Sequence, residues 1–413
     1  MKQNDIGFDL AFNIAMDSAH TIGSRTVPLT GATGAICSES VTAKVNSPSV
    51  NSSLKDGYAI ISRDVAAASE KQPVRLKVAG HIAAGGNAGM TVTSGSAVRI
   101  LSGAPIPDGA DAVLADEFTE PSGNFIHALA GAEPGRNIML TGSDVAEGDV
   151  IAEKGRFLTP GLVGLLAAGG LSDVAVFCRP KIGLLATGSE VLLPGKPIAA
   201  GKLYASNVVL QNSHFQLIGF PTTIRAAGDT EGEIQDAITA IMEKSDILIT
   251  SGGAWKGDRD LVVRVLENLG CQMLFHRVRM GPGKAVGMGI MNGKSVFCLP
   301  GGPASNEMAF LMIALPSIMK TAGYGHYPYL QMYGKLMNDI KGQVDWTQFK
   351  QCTIGWAEKE ICLHPVKMKS RLASMASVHA VVKIPEGRDI MHAGEKVKFM
   401  CTGPRTLQNL QLS

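Results

Sequence analysis

The sequence predicts a multidomain α/β protein, on three observations. Its 413 residues exceed what one ordinary core accommodates, so about two to four domains are expected. Between residues 179 and 326, short apolar runs rich in branched side chains alternate with segments of helical period, which implies a parallel sheet covered on both faces. On either side the texture changes, to short β segments punctuated by Gly and Pro over 45–134 and to alternating apolar and polar residues after 326. The expected architecture is a central doubly wound α/β domain (179–326), a small β-rich domain (45–134), a mixed N-terminal domain (1–44 with 135–178) and a C-terminal β-barrel-like domain (327–413).

The elements follow in order. Phe8, Leu10, Ala11, Ile14 and Ala15 recur at helical spacing, and a short strand follows over 26–29. Strands are expected at 58–61, 74–82, 97–101 and 111–114. Pro160 and Gly161 open a helix that runs through Leu162, Leu165 and Leu166. In the α/β stretch the expected strands are 181–186, 222–226, 246–250 and 294–299, with helices from about 207, over 231–244, over 260–268 and over 304–320. The last 85 or so residues carry few helix signals.

Composition narrows the function classes. Lys plus Arg (38) and Asp plus Glu (36) nearly cancel, which leaves no nucleic-acid footprint and no acidic tail. The seven cysteines are odd in number, scattered, and nowhere in a C-x-x-C pair, so neither a zinc site nor a disulfide framework is expected. No apolar run approaches the ~18 residues a membrane span needs, and Met1 leads into no secretory h-region. A soluble, cytoplasmic protein is expected.

Four loops leave the carboxyl ends of predicted strands, where ligands collect on doubly wound sheets. They are Thr187-Gly188-Ser189-Glu190, Gly228-Asp229, the segment from Ser251 through Gly252, Gly253 and Gly257 to Asp258 and Asp260, and Pro300-Gly301-Gly302-Pro303 with Ser305. Gly-rich turns at helix N-termini bring N–H groups to a phosphate or oxyanion. Glu190, Asp229 and Asp260 are hard oxygen donors suited to a Mg²⁺ ion that bridges to such a phosphate, and Lys284 offers a positive point charge.

These loops and several motifs before them resemble, in order and over nearly the whole chain, the molybdopterin molybdenumtransferases, the family of bacterial MoeA proteins and the gephyrin E domain. Ser53, Asp56, Gly57, Tyr58 and Ala59 resemble its S-x-x-DGYA; Arg99, Ser102, Gly103, Ala104, Pro105, Pro107, Gly109, Asp111 and Val113 resemble R-I-x-TGAPxPxGADxV; Gly135 and Asn137 with Gly142 and Asp144 resemble G-x-N…GED. The resemblance implies insertion of molybdate into adenylated molybdopterin with Mg²⁺-dependent release of AMP. By the same match Asp229 and Asp260 hold Mg²⁺, Glu190 supports the pterin or metal pocket, and Lys284, Ser305 and Ser370 line the molybdate pocket. Thr187, Gly188, Ser189, Ser251, Gly252, Gly253, Pro300, Gly301 and Pro303 are expected to bind the molybdopterin. Asp56, Ser102 and Asp144 are expected to complete the site of a two-fold partner, which implies a homodimer. Molybdopterin adenylyltransferase and molybdoenzyme apo-proteins are the further partners implied.

The chain departs from the family pattern at five places, one being residues 138–141, which lack the arginines typical of that segment. Trp255 stands where a small hydroxyl donor is usual, Gly281 where a lysine precedes PGK, Gly302 where PGNP has asparagine, and Gln351 where the C-terminal domain offers an arginine. Two alternatives follow: a noncatalytic molybdopterin-binding paralogue acting as carrier or scaffold, and a related enzyme that uses tungstate.

Overall fold

The computed structural model describes residues 3–86, 89–252, 261–325, 329–357, 359–366 and 371–402. The chain forms two compact units, one of residues 1–25 with 177–413 and one of residues 26–176.

The first unit is built on one extended sheet. Thr222–Ala227, Ile182–Thr187, Ile247–Ser251 and Lys294–Leu299 run parallel in that spatial order. Gly287–Met291 and Gln272–Gly281 then continue it antiparallel, and Gln3–Gly7 adds parallel to the latter. Ile182–Thr187 and Ile247–Ser251 are buried at every position, because helices cover both faces and remove any need for polar alternation. Glu231–Met242 lays Ile234, Ile238 and Ile241 on the sheet, and its N-cap Thr230 accepts from the Glu233 N–H. Leu261–Asn268 buries Val262, Val263, Val265 and Leu266 beside it.

The helix expected over 304–320 spans Pro303–Ala309, a π-helical turn at Phe310–Ala314, and Leu315–Thr321. Pro316 accounts for the wide turn: it has no N–H to give, and its ring crowds the carbonyl one turn earlier.

The C-terminal strands close into a ring. Thr347–Ala357, Glu360–Pro365, Gln331–Leu336, Lys396–Cys401 and Ala380–Ile384 pair in succession, and the last returns to the first. Closure leaves the barrel no open edge. The barrel joins the α/β sheet where Met280 and Gly281 pair with Thr347 and Gln348.

The second unit holds a six-stranded sheet in the order Ala112–Ala115, Gly57–Ile60, Ser96–Ile100, Val74–Ile82, Phe125–Ala128 and Thr119–Ser122. A helix, Pro160–Ala168, starts as expected at a proline, capped by the Thr159 hydroxyl. Among the described residues no helix is long and apolar enough to cross a membrane. All seven cysteines are free thiols; burial pushes those of Cys271 and Cys352 up, to about 11 and about 12.

Candidate functional site

Three loops at the carboxyl edge of the parallel strands meet around two glycines. Gly252, with φ +112°, donates its N–H to Leu299 O at 3.2 Å, and a Cβ there would lie 2.3 Å from Thr187 O. Gly301 packs onto the Gly252 Cα, 3.6 Å from its own Cβ position. Only glycine allows the loops after the two central strands and the 300–302 turn to come this close. The Thr187 hydroxyl beneath them is buried and has no partner among the described residues.

The acidic side of the site is organised by the loop at 187–190. The Ser189 N–H donates to Asp229 Oδ2 at 2.7 Å, which ties this loop to the carboxyl end of Thr222–Ala227. Gly188, at φ +141°, lies directly under the Glu190 carboxylate: a Cβ would sit 2.7 Å from Oε2. Lys202 donates from Nζ to Ser189 O at 2.6 Å, which brings a cation to the same loop. A cavity of about 260 Å³ opens here, lined in part by Gly188, Ser189, Leu192, Lys196 and Gly228.

The opposite side is held by carboxamides. Asn207 Nδ2 donates to Ser251 Oγ at 3.1 Å and to Gly301 O at 2.8 Å. Asn306 Nδ2 donates to the same Ser251 Oγ at 3.0 Å and to Pro300 O at 2.8 Å. Gln211 Nε2 donates to Asn306 Oδ1 at 2.7 Å, which sets the direction in which the Asn306 amide points. The strand end at Ser251 and the 300–301 turn are thus locked by two amides that use both of their hydrogens.

A buried polar cluster lies where the helix from Pro303 meets the barrel. Gln351 Nε2 donates to Glu307 Oε2 at 2.6 Å, and both side chains are buried. Burial pushes the Glu307 carboxyl up to about 7, against a smaller opposing effect of the Gln351 hydrogen bond. His214 Nδ1 and the Tyr329 hydroxyl pair beside it; burial lowers the imidazole to about 4, while burial and then Glu307 raise the phenol.

Of the residues expected from sequence, Thr187, Gly188, Ser189, Glu190, Asp229, Ser251, Gly252, Pro300, Gly301 and Pro303 share this edge of the sheet. Ser305 follows in the helix from Pro303, and its carbonyl is 3.4 Å from the Cβ position of Gly283. Lys284 is half exposed, with Asp5 at 3.9 Å and the Trp346 ring 5.0 Å away. Gly253, Trp255, Gly257, Asp258, Asp260 and Ser370 lie outside the described residues. In the second unit Asp56 Oδ1 accepts from the Ser102 N–H at 2.7 Å, so those two meet. Asp144 is exposed in a turn whose N–H reaches Ser47 O, and among the described residues no hydrogen bond joins it to Asp56 or Ser102. Asn207, Gln211, Asn306, Lys202 and Glu307 were not anticipated. Gln211 and Glu307 carried a signal nonetheless, as polar residues inside otherwise apolar helical stripes.

A doubly wound sheet whose carboxyl-edge loops set carboxylates on one side and neutral donors on the other defines an α/β protein with its polar groups gathered at the edge where such sheets take ligands. Residues 6–170 match the family model of the MoeA N-terminal region (domain I and II), and residues 183–320 that of a probable molybdopterin binding domain. A molybdopterin molybdenumtransferase of Bacillus subtilis (strain 168) is 32% identical over 372 residues, 88% of this chain and 86% of that one. Another, of Staphylococcus aureus (strain MRSA252), is 29% identical over 406 residues, 97% of this chain and 96% of that one. A molybdopterin biosynthesis MoeA protein of Pyrococcus horikosii has a crystal structure that matches with TM-score 0.81 and 27% identity, over 96% of this chain and 99% of that chain. The chain belongs to the molybdopterin molybdenumtransferase family.

Proposed function

We propose that this protein is the transferase that inserts molybdenum from molybdate into adenylated molybdopterin and releases AMP, late in molybdenum cofactor biosynthesis. The observation that carries this reading is the joining of the loops at 187–190, 251–252 and 300–302 around Gly252 and Gly301, with Asp229 fixed by the Ser189 N–H. The Ser251 and glycine side suits the phosphorylated pterin, and the Glu190, Asp229 and Lys202 side suits the phosphate bond that is cleaved.

Mg²⁺ fits the donor set: Asp229 has one carboxylate oxygen engaged by Ser189 and the other available, and Glu190 supplies a second carboxylate from the loop that carries Ser189. Bound by these carboxylates, with Asp260 assigned to it by the family resemblance alone, it would neutralise charge on the leaving phosphate. The protein's own groups orient the ligand: Ser251 and the glycine N–H groups hold one end, and Lys202 fixes the 187–190 loop at the other. We further propose a cytoplasmic homodimer that shares sites between subunits, is supplied by molybdopterin adenylyltransferase, and delivers to molybdoenzyme apo-proteins. Seven free thiols agree with a reducing compartment.

The second reading, a noncatalytic pterin carrier, is favoured by one observation. The Gln351 position, where the family pattern offers arginine, holds a carboxamide paired to a buried carboxyl. AMP release separates the two: purified protein given adenylated molybdopterin, Mg²⁺ and either molybdate or tungstate is expected to release AMP. Tight pterin binding with no AMP under any oxyanion would establish the carrier instead.

A further inference from the structure

The amide lock around Ser251 has a consequence for proton direction. A serine oxygen has two acceptor lone pairs and one hydrogen. Both acceptor positions of Ser251 Oγ are taken by amide hydrogens, from Asn207 at 3.1 Å and Asn306 at 3.0 Å. Neither amide can accept the serine hydrogen through its nitrogen. The hydroxyl hydrogen is therefore turned away from both, although the side chain is 95% buried, with 5% relative exposure. Among the described residues it has no acceptor.

The same amides orient the neighbouring turn. Asn306 takes Pro300 O and Asn207 takes Gly301 O. In a planar trans peptide the N–H points opposite to the C=O. The N–H groups of Gly301 and Gly302 are accordingly directed away from the amides, and among the described residues neither has an acceptor. Gln211 stands behind this arrangement, holding Asn306 Oδ1 at 2.7 Å so that the Asn306 NH₂ cannot be replaced by its carbonyl.

We infer that Asn207 and Asn306 are positioning residues that make Ser251 an obligatory hydrogen-bond donor to a tetrahedral oxyanion of the ligand, with the Gly301 and Gly302 N–H groups as co-donors. The inference rests on the proposed function and deepens it: recognition of the anion comes from neutral, preorganised donors rather than from a lysine. Lys284 is instead engaged with Asp5 and the Trp346 ring. The oxyanion has two sources, the pterin phosphate and free molybdate, and the test separates them.

The full chain would be titrated by calorimetry with molybdopterin and, separately, with molybdate alone, in the wild type, Ser251→Ala, Asn306→Asp and the double variant. The aspartate accepts the serine hydrogen and turns it inward, so Asn306→Asp and Ser251→Ala are each expected to weaken the responsive ligand about 10-fold to 100-fold, as for a lost hydrogen bond to a charged group. The double variant is expected to be no weaker than Ser251→Ala, because the asparagine acts through that hydroxyl. A purely structural asparagine would give multiplicative losses, which would overturn the inference while leaving molybdopterin binding by the wild type, and hence the proposed function, intact. An unchanged affinity in Ser251→Ala would overturn it as well. A wild type that binds neither probe would remove the function and the inference together. Should Asn306→Asp fail to fold, Asn207→Asp, at a partly exposed position, tests the same coupling.

Discussion

Asn306 and Glu307 are consecutive residues of one helix, and they serve two opposite kinds of polar region. Asn306 faces the carboxyl edge of the sheet, where Ser251, Asn207 and Gln211 form a network of neutral groups whose donors are fixed by geometry. Glu307 faces the barrel, where Gln351 and Tyr329 flank a carboxyl that burial raises to about 7. The first network keeps its form at any ordinary pH, since carboxamides and hydroxyls do not titrate there. The second changes charge within the physiological range. The side proposed for recognition is thus the one that pH leaves alone, and the seam with the C-terminal barrel is the part that responds to it.

The largest effect on this contrast is expected from Asn306→Leu. It removes two donors and leaves Ser251 Oγ, Pro300 O and Gln211 Nε2 short of partners in a buried place. A loss of about 3–4 kcal/mol in urea unfolding is expected, from two or more unmet buried groups. A loss below about 1 kcal/mol would show that the network is not a unit.

Next comes Glu307→Gln, which acts only on the titrating side. The Glu307 carboxyl is raised from 4.5 to about 7 in the folded chain. Between those values the folded state holds a proton that the unfolded state has released, so stability is highest below the lower value and falls as pH rises through the upper one. The glutamine variant is expected to be more stable than wild type at pH 8.5, by on the order of 3 kcal/mol, and similar to it at pH 4. His214, lowered to about 4 by burial, has the opposite sign: its contribution is lost as pH falls below its ordinary 6.5. Thermal melts across pH 4–9 read both.

Gln351→Arg sharpens the comparison from the barrel side. A guanidinium opposite Glu307 pulls that carboxyl down, so the decline in stability between pH 5 and 7 is expected to flatten or reverse, by about 1–2 kcal/mol at pH 8. A variant with the wild-type slope would mean that Glu307 does not face residue 351 in solution. The smallest effect is expected from Lys284→Ala. Its ion pair with Asp5 is half exposed at 3.9 Å, so the change in stability should stay within about 1 kcal/mol.

These contrasts also mark how far the sequence alone could be read. The strand ends at Thr187 and Ser251 were legible because a branched apolar run that empties into glycine has few other meanings, and the convergence of their loops follows from the parallel order of the strands. The clamp was not. Asn207, Gln211 and Asn306 meet across 44 to 95 residues of chain, and helical periodicity says only that each lies on a helix. Gln211, wedged between Val208 and Phe215 on a buried face, was the available clue, since a carboxamide in a core stripe needs a partner. Glu307 was the same clue in the helix from Pro303. The π-helical turn was foreshadowed by Pro316 within an otherwise uninterrupted apolar helix.

The central claim is that this edge of the sheet carries out metal transfer and does not merely hold a pterin. It is tested most directly by incubating the full chain with adenylated molybdopterin, Mg²⁺ and isotopically labelled molybdate, then measuring both AMP and pterin-bound molybdenum. Equal amounts of AMP and pterin-bound molybdenum are expected, with both lost in Asp229→Ala while pterin binding survives. Bound adenylated molybdopterin that yields neither AMP nor metal-loaded pterin would contradict the account.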